Sequence, residues 1–286
     1  MRKSVALVLS SGGSKGLAHI GVINELTKQG FNIASVSGSS IGSVIGGLYA
    51  MGKLQEYTDW VKTFKKKDVW GFMDFTLTNH GLLKGERVFE KMKAIIPDMN
   101  IEDMPIPFSA VATDILNEKE VVFTQGSFYE AARASVAIPA VFTPVKYEDT
   151  IIVDGGILNP IPIEFVNRKS DDILVVVNLY GKKTAILPKE KEVEKGYLNG
   201  LMRTLSTLIS TGDKHSIGYY SLLSSTTSAM IHRIAEMSIE KHMPDMVINI
   251  PHDSASTFEF NRAKELIEIG QNAAKESILK FNEMAE

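Results

Sequence analysis

The chain of 286 residues has no cysteine. That excludes disulfides, thiolate metal sites and a cysteine nucleophile, and it fits a reducing compartment. No stretch approaches the ~20 apolar residues of a membrane-spanning helix. The six histidines (His19, His80, His215, His232, His242 and His252) include no H-x-x-x-H pair or other metal-ligand spacing, so no metal and no cofactor is expected. Neither sign of charge is in large excess. A net charge of -3 predicts no bulk attraction to nucleic acid. Internal repeats, low-complexity tracts and linker-like stretches are missing too. One absence is local: the segment from Phe31 to Gly42 contains no Asp or Glu.

What remains is ordinary globular composition, 44% hydrophobic and 23% charged. A single α/β domain over residues 1–286 is the economical reading. Met1-Arg2-Lys3 precedes the apolar run Val5 to Leu9, which is shorter than a signal-peptide core and runs at once into glycines. A first β-strand and a cytoplasmic location are therefore expected. Ser4 to Ser10 reads as a strand buried on both faces, Leu17 to Gln29 as a helix, Phe31 to Ser37 as a strand and Ile41 to Met51 as a helix. This βαβα unit predicts a mostly parallel sheet flanked by helices. Residues 53–100 read as mostly helical with a loop near Asn79-His80-Gly81. Further strands are expected at Pro105–Thr113, Val121–Phe123, Ile151–Val153, Asp171–Asn178 and Met246–Ile250. Helices are expected at Phe128–Val136, Leu198–Lys241 and Ala263–Ala285.

Three places can carry chemistry. Gly38-Ser39-Ser40-Ile41-Gly42 is a G-x-S-x-G between a strand and a helix. A nucleophile on so sharp a turn needs little bulk two residues to either side, and the helix start aims amides and its positive dipole end at the site. Ser40 alone among its serine neighbours has glycine at both −2 and +2. The second place, Ser11-Gly12-Gly13-Ser14-Lys15-Gly16, follows the first strand and opens a helix. Its backbone amides suit a phosphate or the oxyanion of a tetrahedral intermediate. A dinucleotide fingerprint needs glycine where Ser11 stands and an acidic residue ending the second strand; a Walker loop needs Ser or Thr where Gly16 stands. Both fail, which favours the oxyanion hole. The third place is Asp154 in Val153-Asp154-Gly155-Gly156, either a site residue at a strand end or an aspartate starting a D-G turn. A Ser-Asp-His order would add a downstream histidine such as His252; His19 reads as a packing residue of the first helix.

Together with Ala134-Ser135-Val136-Ala137-Ile138-Pro139, these blocks stand in an order that resembles the patatin-like phospholipase family in its short bacterial form, over Val5 to about Gly270. The resemblance implies a three-layer patatin-like fold and a Ser-Asp dyad, with Ser40 as nucleophile and Asp154 as general base. It implies an oxyanion hole from the amides of Gly12, Gly13, Ser14 and Lys15. The family usually has glycine at Ser11 and often arginine at Lys15. The implied activity is hydrolysis of a lipid or other acyl ester, with an α/β-hydrolase-type esterase using His252 or a non-catalytic anion-binding module as the alternatives. An acyl slot is expected from Trp70 to Phe75 or from the Met- and Leu-rich stretch 198–240. Lys65-Lys66-Lys67 suggests peripheral contact with the inner membrane surface.

Overall fold

The computed structural model describes residues 3–72, 74–78, 81–147, 149–183 and 219–285. Strand β1 (Ser4–Leu9) sits inside a large sheet. Its side chains alternate between two cores: Val5, Leu7 and Leu9 enter one, Ala6 and Val8 the other. The run has no polar alternation because both faces are covered. Parallel to β1 on either side lie β2 (Asn32–Ser39) and β9 (Ile173–Gly181). Beyond them, β5 (Phe108–Asp114) joins β2 and β10 (Met246–Pro251) joins β9, again in parallel.

The first face is covered by α1 (Leu17–Lys28), α2 (Ile41–Ala50) and α8 (Ala263–Ala285). The second face is covered by α7 (Tyr219–His242), through Ala235, and by the 3-10 turn at Ile163–Phe165 with Ile161 before it. Helix, sheet and helix make three layers, as expected. Between β2 and β5 the chain forms α3 (Leu54–Val61), α4 (Lys66–Gly71) and α5 (Glu86–Ile95). Here the expectation of a mostly helical stretch needs correction. An antiparallel pair, β3 (Phe75–Thr78) with β4 (Gly81–Leu83), lies between α4 and α5. Strands this short leave no period for a sequence reading to find.

The antiparallel flank positions the site. Strand β6 (Lys119–Phe123) occupies one edge of β5. On the other edge, β2 pairs with Phe108–Val111, and β8 (Thr150–Asp154) pairs with Ala112–Asp114 in the opposite direction. Strand β7 (Val145–Tyr147) then pairs with β8. So β2 and β8 run towards each other along one edge and meet: Ser39 lies opposite Val111 and Asp154 opposite Ala112. The helix α6 (Phe128–Ser135) connects β6 to this meeting point. Ser127 caps its start, accepting from the Glu130 amide at 3.2 Å.

Candidate active site

Ser40 follows the last residue of β2 and precedes α2, with φ 53 and ψ −126. A non-glycine residue is rarely held there, and such outliers cluster where surrounding structure over-determines them. The glycines on either side explain how the turn closes. A Cβ on Gly38 would stand 2.3 Å from the Gly42 carbonyl oxygen, and one on Gly42 2.2 Å from that of Leu9. Both obstacles are backbone, which cannot rotate away. The Ser40 N–H donates to Ser135 Oγ at 2.8 Å, and the Ser40 carbonyl accepts from Ser43 Oγ at 2.6 Å.

The Ser40 hydroxyl donates to Asp154 Oδ2 at 2.5 Å, across 114 residues of sequence. The other carboxylate oxygen, Oδ1, accepts from the Gly156 N–H at 2.8 Å. The D-G turn and the site residue are thus one arrangement: the turn orients the carboxylate that faces Ser40. Asp154 is 5% exposed and Ser40 4%. Burial pushes the Asp154 carboxyl up to about 6, against the opposing pull of the Ser40 and Gly156 hydrogen bonds. A carboxylate with a value near 6 is ionised at neutral pH and more basic than usual, as a proton acceptor should be.

The glycine loop lies beside this pair, since β1 and β2 are neighbours. Gly13–Gly16 form a 3-10 turn with Gly12 as N-cap. Ser14 is committed to scaffolding: its N–H donates to the Thr257 carbonyl at 2.9 Å and its hydroxyl to the Ser256 carbonyl at 2.7 Å. Lys15 is held likewise, with Nζ donating to the carbonyls of Leu179 (3.1 Å) and His252 (3.3 Å) and lying over the Tyr180 ring. Burial pulls the Lys15 ammonium down to about 8, against the nearby charge of Asp253. Lys15 therefore ties the loop to the ends of β9 and β10.

A cavity opens from Ser40 and Gly13. Its walls are overwhelmingly apolar: Ile41 and Val44 of α2, Trp60 of α3, Phe72 beyond α4, Phe89 of α5 and Ile138. Trp60, Phe64 and Phe72 pack ring against ring, with Trp60 and Phe64 centroids 4.8 Å apart. The expected slot is only partly where sequence suggested. Val69 and Phe72 line it, while Trp70 is about one-third exposed and stands outside it. The 198–240 expectation needs correction within the described part. Helix α7 packs on the second face, away from a cavity that opens over α2 on the first; residues 198–218 lie outside the described residues.

Residues 7–166 match the family model described as Patatin-like phospholipase. The chain belongs to the patatin-like phospholipase family. Over 97% of its length, and 92% of the relative's, this patatin-like protein is 28% identical to an uncharacterized NTE family protein of Mycobacterium tuberculosis. It is 26% identical to a protein named Lysophospholipase NTE1 from Pyricularia oryzae, covering 98% of this chain but only 19% of that one. Among solved structures it is similar to VipD from Legionella pneumophila, at 15% identity and a TM-score of 0.48, over 96% of this chain and 67% of that one.

In this patatin-like chain no histidine among the described residues is hydrogen-bonded to the Ser40–Asp154 pair. His252 Nδ1 lies 2.9 Å from the Gly181 carbonyl oxygen, and no hydrogen bond to Asp154 or Ser40 is formed by it among the described residues. His19 is fully buried with Nε2 2.9 Å from the Ser10 carbonyl oxygen, and burial pulls it down to about 4. It packs, as expected. Sequence reading marked the block 134–139 without giving it a task, and it did not find Ser43, Thr257 or Tyr180, whose hydroxyl bonds with that of Ser11. No local pattern marks these: each acts through a partner far away or through one turn of a helix.

Proposed function

We propose that this protein is a serine acyl-ester hydrolase of lipids that works through a Ser40–Asp154 dyad. The carrying observation is the 2.5 Å hydrogen bond between a strained, buried serine and a buried carboxylate beside an apolar cavity. Asp154 takes the Ser40 proton as Oγ attacks the ester carbonyl. The oxyanion forms beside the glycine loop, where the amides of Gly12, Gly13 and Lys15 are the proposed donors; the Ser14 amide, expected among them, donates instead to the Thr257 carbonyl. Each such donor contributes about 3 kcal/mol. The alcohol leaves with the proton held by Asp154. Water, deprotonated by the same carboxylate, then releases the acid from the acyl-enzyme.

The apolar cavity fits an acyl chain, and the likeness to a protein named a lysophospholipase supports a phospholipid or lysophospholipid substrate. The reading takes residues 1–286 as one working unit, because β9, β10 and α8 complete the sheet and core that residues 7–166 begin. No described helix is long and apolar enough to cross a membrane. Peripheral contact is assigned to α4 and its approach, where Lys62, Lys65 and Lys67 are exposed beside Trp70. Retention on vesicles of anionic lipid at low salt, lost at high salt, is expected; no retention at low salt rejects it. For the activity, purified protein should hydrolyse a short-chain nitrophenyl ester and lysophosphatidylcholine, and Ser40→Ala should lose at least about 10³-fold. Equal rates for the two proteins reject the proposal.

A further inference from the structure

The block Ala134 to Pro139 touches both halves of the pair through its backbone and one hydroxyl. Ser135, at the end of α6, is fully buried. Its Oγ accepts the Ser40 N–H at 2.8 Å and donates to the Val111 carbonyl at 2.6 Å. Two residues on, the Ala137 carbonyl accepts the Asp154 N–H at 2.9 Å. The flanking residues face elsewhere: Val136 between them and Ile138 after them line the apolar cavity. One short segment therefore grips the nucleophile's backbone, the base's backbone and the cavity wall.

We propose that Ser135 is a positioning residue for the reaction, and that the segment Ser135–Ala137 sets the spacing of Ser40 and Asp154. The inference rests on the hydrolase reading above. The reasoning is geometric. Ser40 sits at a positive φ that its own chain does not favour, so its N–H must be held by something outside the turn. Strand β2 ends at Ser39, and no sheet partner takes that amide. Ser135 takes it and passes the constraint to Val111, which lies opposite Ser39 in the sheet. Asp154 arrives from β8 on the same edge, fixed one residue further along at Ala112 and by Ala137. The Ser40 amide is also withdrawn from the pool of oxyanion donors, which leaves that task to the glycine loop. Removing the Ser135 hydroxyl frees the Ser40 peptide to relax and lengthens the path of the proton to Asp154. A misplacement of about 1 Å costs on the order of 10²-fold in rate.

The test compares Ser135→Ala with Ser109→Ala, each assayed well below its melting temperature. Ser109 is a buried control on β5: its hydroxyl donates to the Phe165 carbonyl at 2.8 Å and does not touch the pair. Both variants should melt earlier. Only Ser135→Ala should lose kcat, by about 10- to 100-fold, with KM for the nitrophenyl ester little changed. Ser135→Thr, which keeps the hydroxyl, should recover most of the loss. Wild-type kcat in a folded Ser135→Ala, a threonine variant as slow as the alanine one, or an equal kcat loss in Ser109→Ala overturns the proposal. Labelling by a fluorophosphonate separates this failure from that of the underlying reading. Wild-type protein that takes no label at Ser40 rejects the hydrolase itself. A wild-type labelling rate in Ser135→Ala rejects only the positioning role.

Discussion

Two glycine-rich strand-to-helix turns stand side by side, Ser10–Gly16 after β1 and Gly38–Gly42 after β2, and they use glycine against different obstacles. In the first, a Cβ on Gly12 would meet the Leu179 side chain, 2.6 Å from Cδ1, and one on Gly16 would meet the Ile41 side chain at 2.3 Å. In the second, the obstacles are carbonyl groups of the turn itself and of β1. Side chains can repack; a strand's carbonyl in the centre of a sheet cannot. The first turn offers backbone amides and is held from outside by Lys15 and Ser14. The second offers a side chain and is fixed by close backbone approaches at Gly38 and Gly42 and, through the Ser40 N–H, by Ser135 of α6.

The largest effect should come from breaking the rigid turn. Gly42→Ala pushes a methyl into the Leu9 carbonyl and should cost at least about 3 kcal/mol, seen as loss of soluble protein or a much lower melting temperature. Gly71→Ala, with nothing within 4 Å of the added Cβ, should melt within about 1 kcal/mol of the parent. An equal response at the two glycines would erase the contrast. Next, Gly12→Ala presses a methyl onto the buried Leu179 side chain and should lose about 10²-fold in kcat through a displaced amide, with a smaller loss of stability than Gly42→Ala. A fully active Gly12→Ala would remove the first turn from the chemistry.

The carboxylate sharpens the comparison through pH. In the proposed dyad Asp154 accepts the proton only when ionised, so kcat/KM should rise with pH through about 6. The sign for stability is opposite. A carboxyl raised from its ordinary value of 3.8 to about 6 contributes stability below 3.8 that is lost as pH rises through about 6. Asp154→Asn should therefore abolish turnover and, at pH 8, raise stability by up to about 3 kcal/mol, as followed by denaturant titration at pH 5 and 8. A variant that is no more stable at pH 8 contradicts the buried-charge account. The smallest effect concerns strain: Ser40→Gly should be more stable than Ser40→Ala by about 1 kcal/mol, because glycine accepts φ 53 without cost.

Much of this comparison was legible in the sequence because it is local. The run Ser4 to Ser10, the glycines around Ser40 and the loop at Gly12-Gly13 all signal within a few residues. β2 simply continues two residues past Ser37, so Ser40 follows the strand directly. Asp154 was legible as a residue but not as a direction. It was read at the end of a strand in a parallel sheet, whereas β8 is antiparallel to β5, a fact settled by pairing with a strand about forty residues earlier. Helical spacing in 219–241 showed an apolar face without showing which face of the sheet it would cover. The aromatic wall of the cavity was half-seen: Phe72 was in the expected segment, but Trp60 and Phe64 come from α3 and just beyond it, and only folding brings the three together.

The pairing of Ser40 with Asp154, and with no histidine, is tested most directly by fluorophosphonate labelling read by peptide mass spectrometry at pH 8. One adduct on Ser40 is predicted in wild type and in His252→Ala, with little or none in Asp154→Asn. A labelled Asp154→Asn beside an unlabelled His252→Ala would contradict it and return the site to a histidine base.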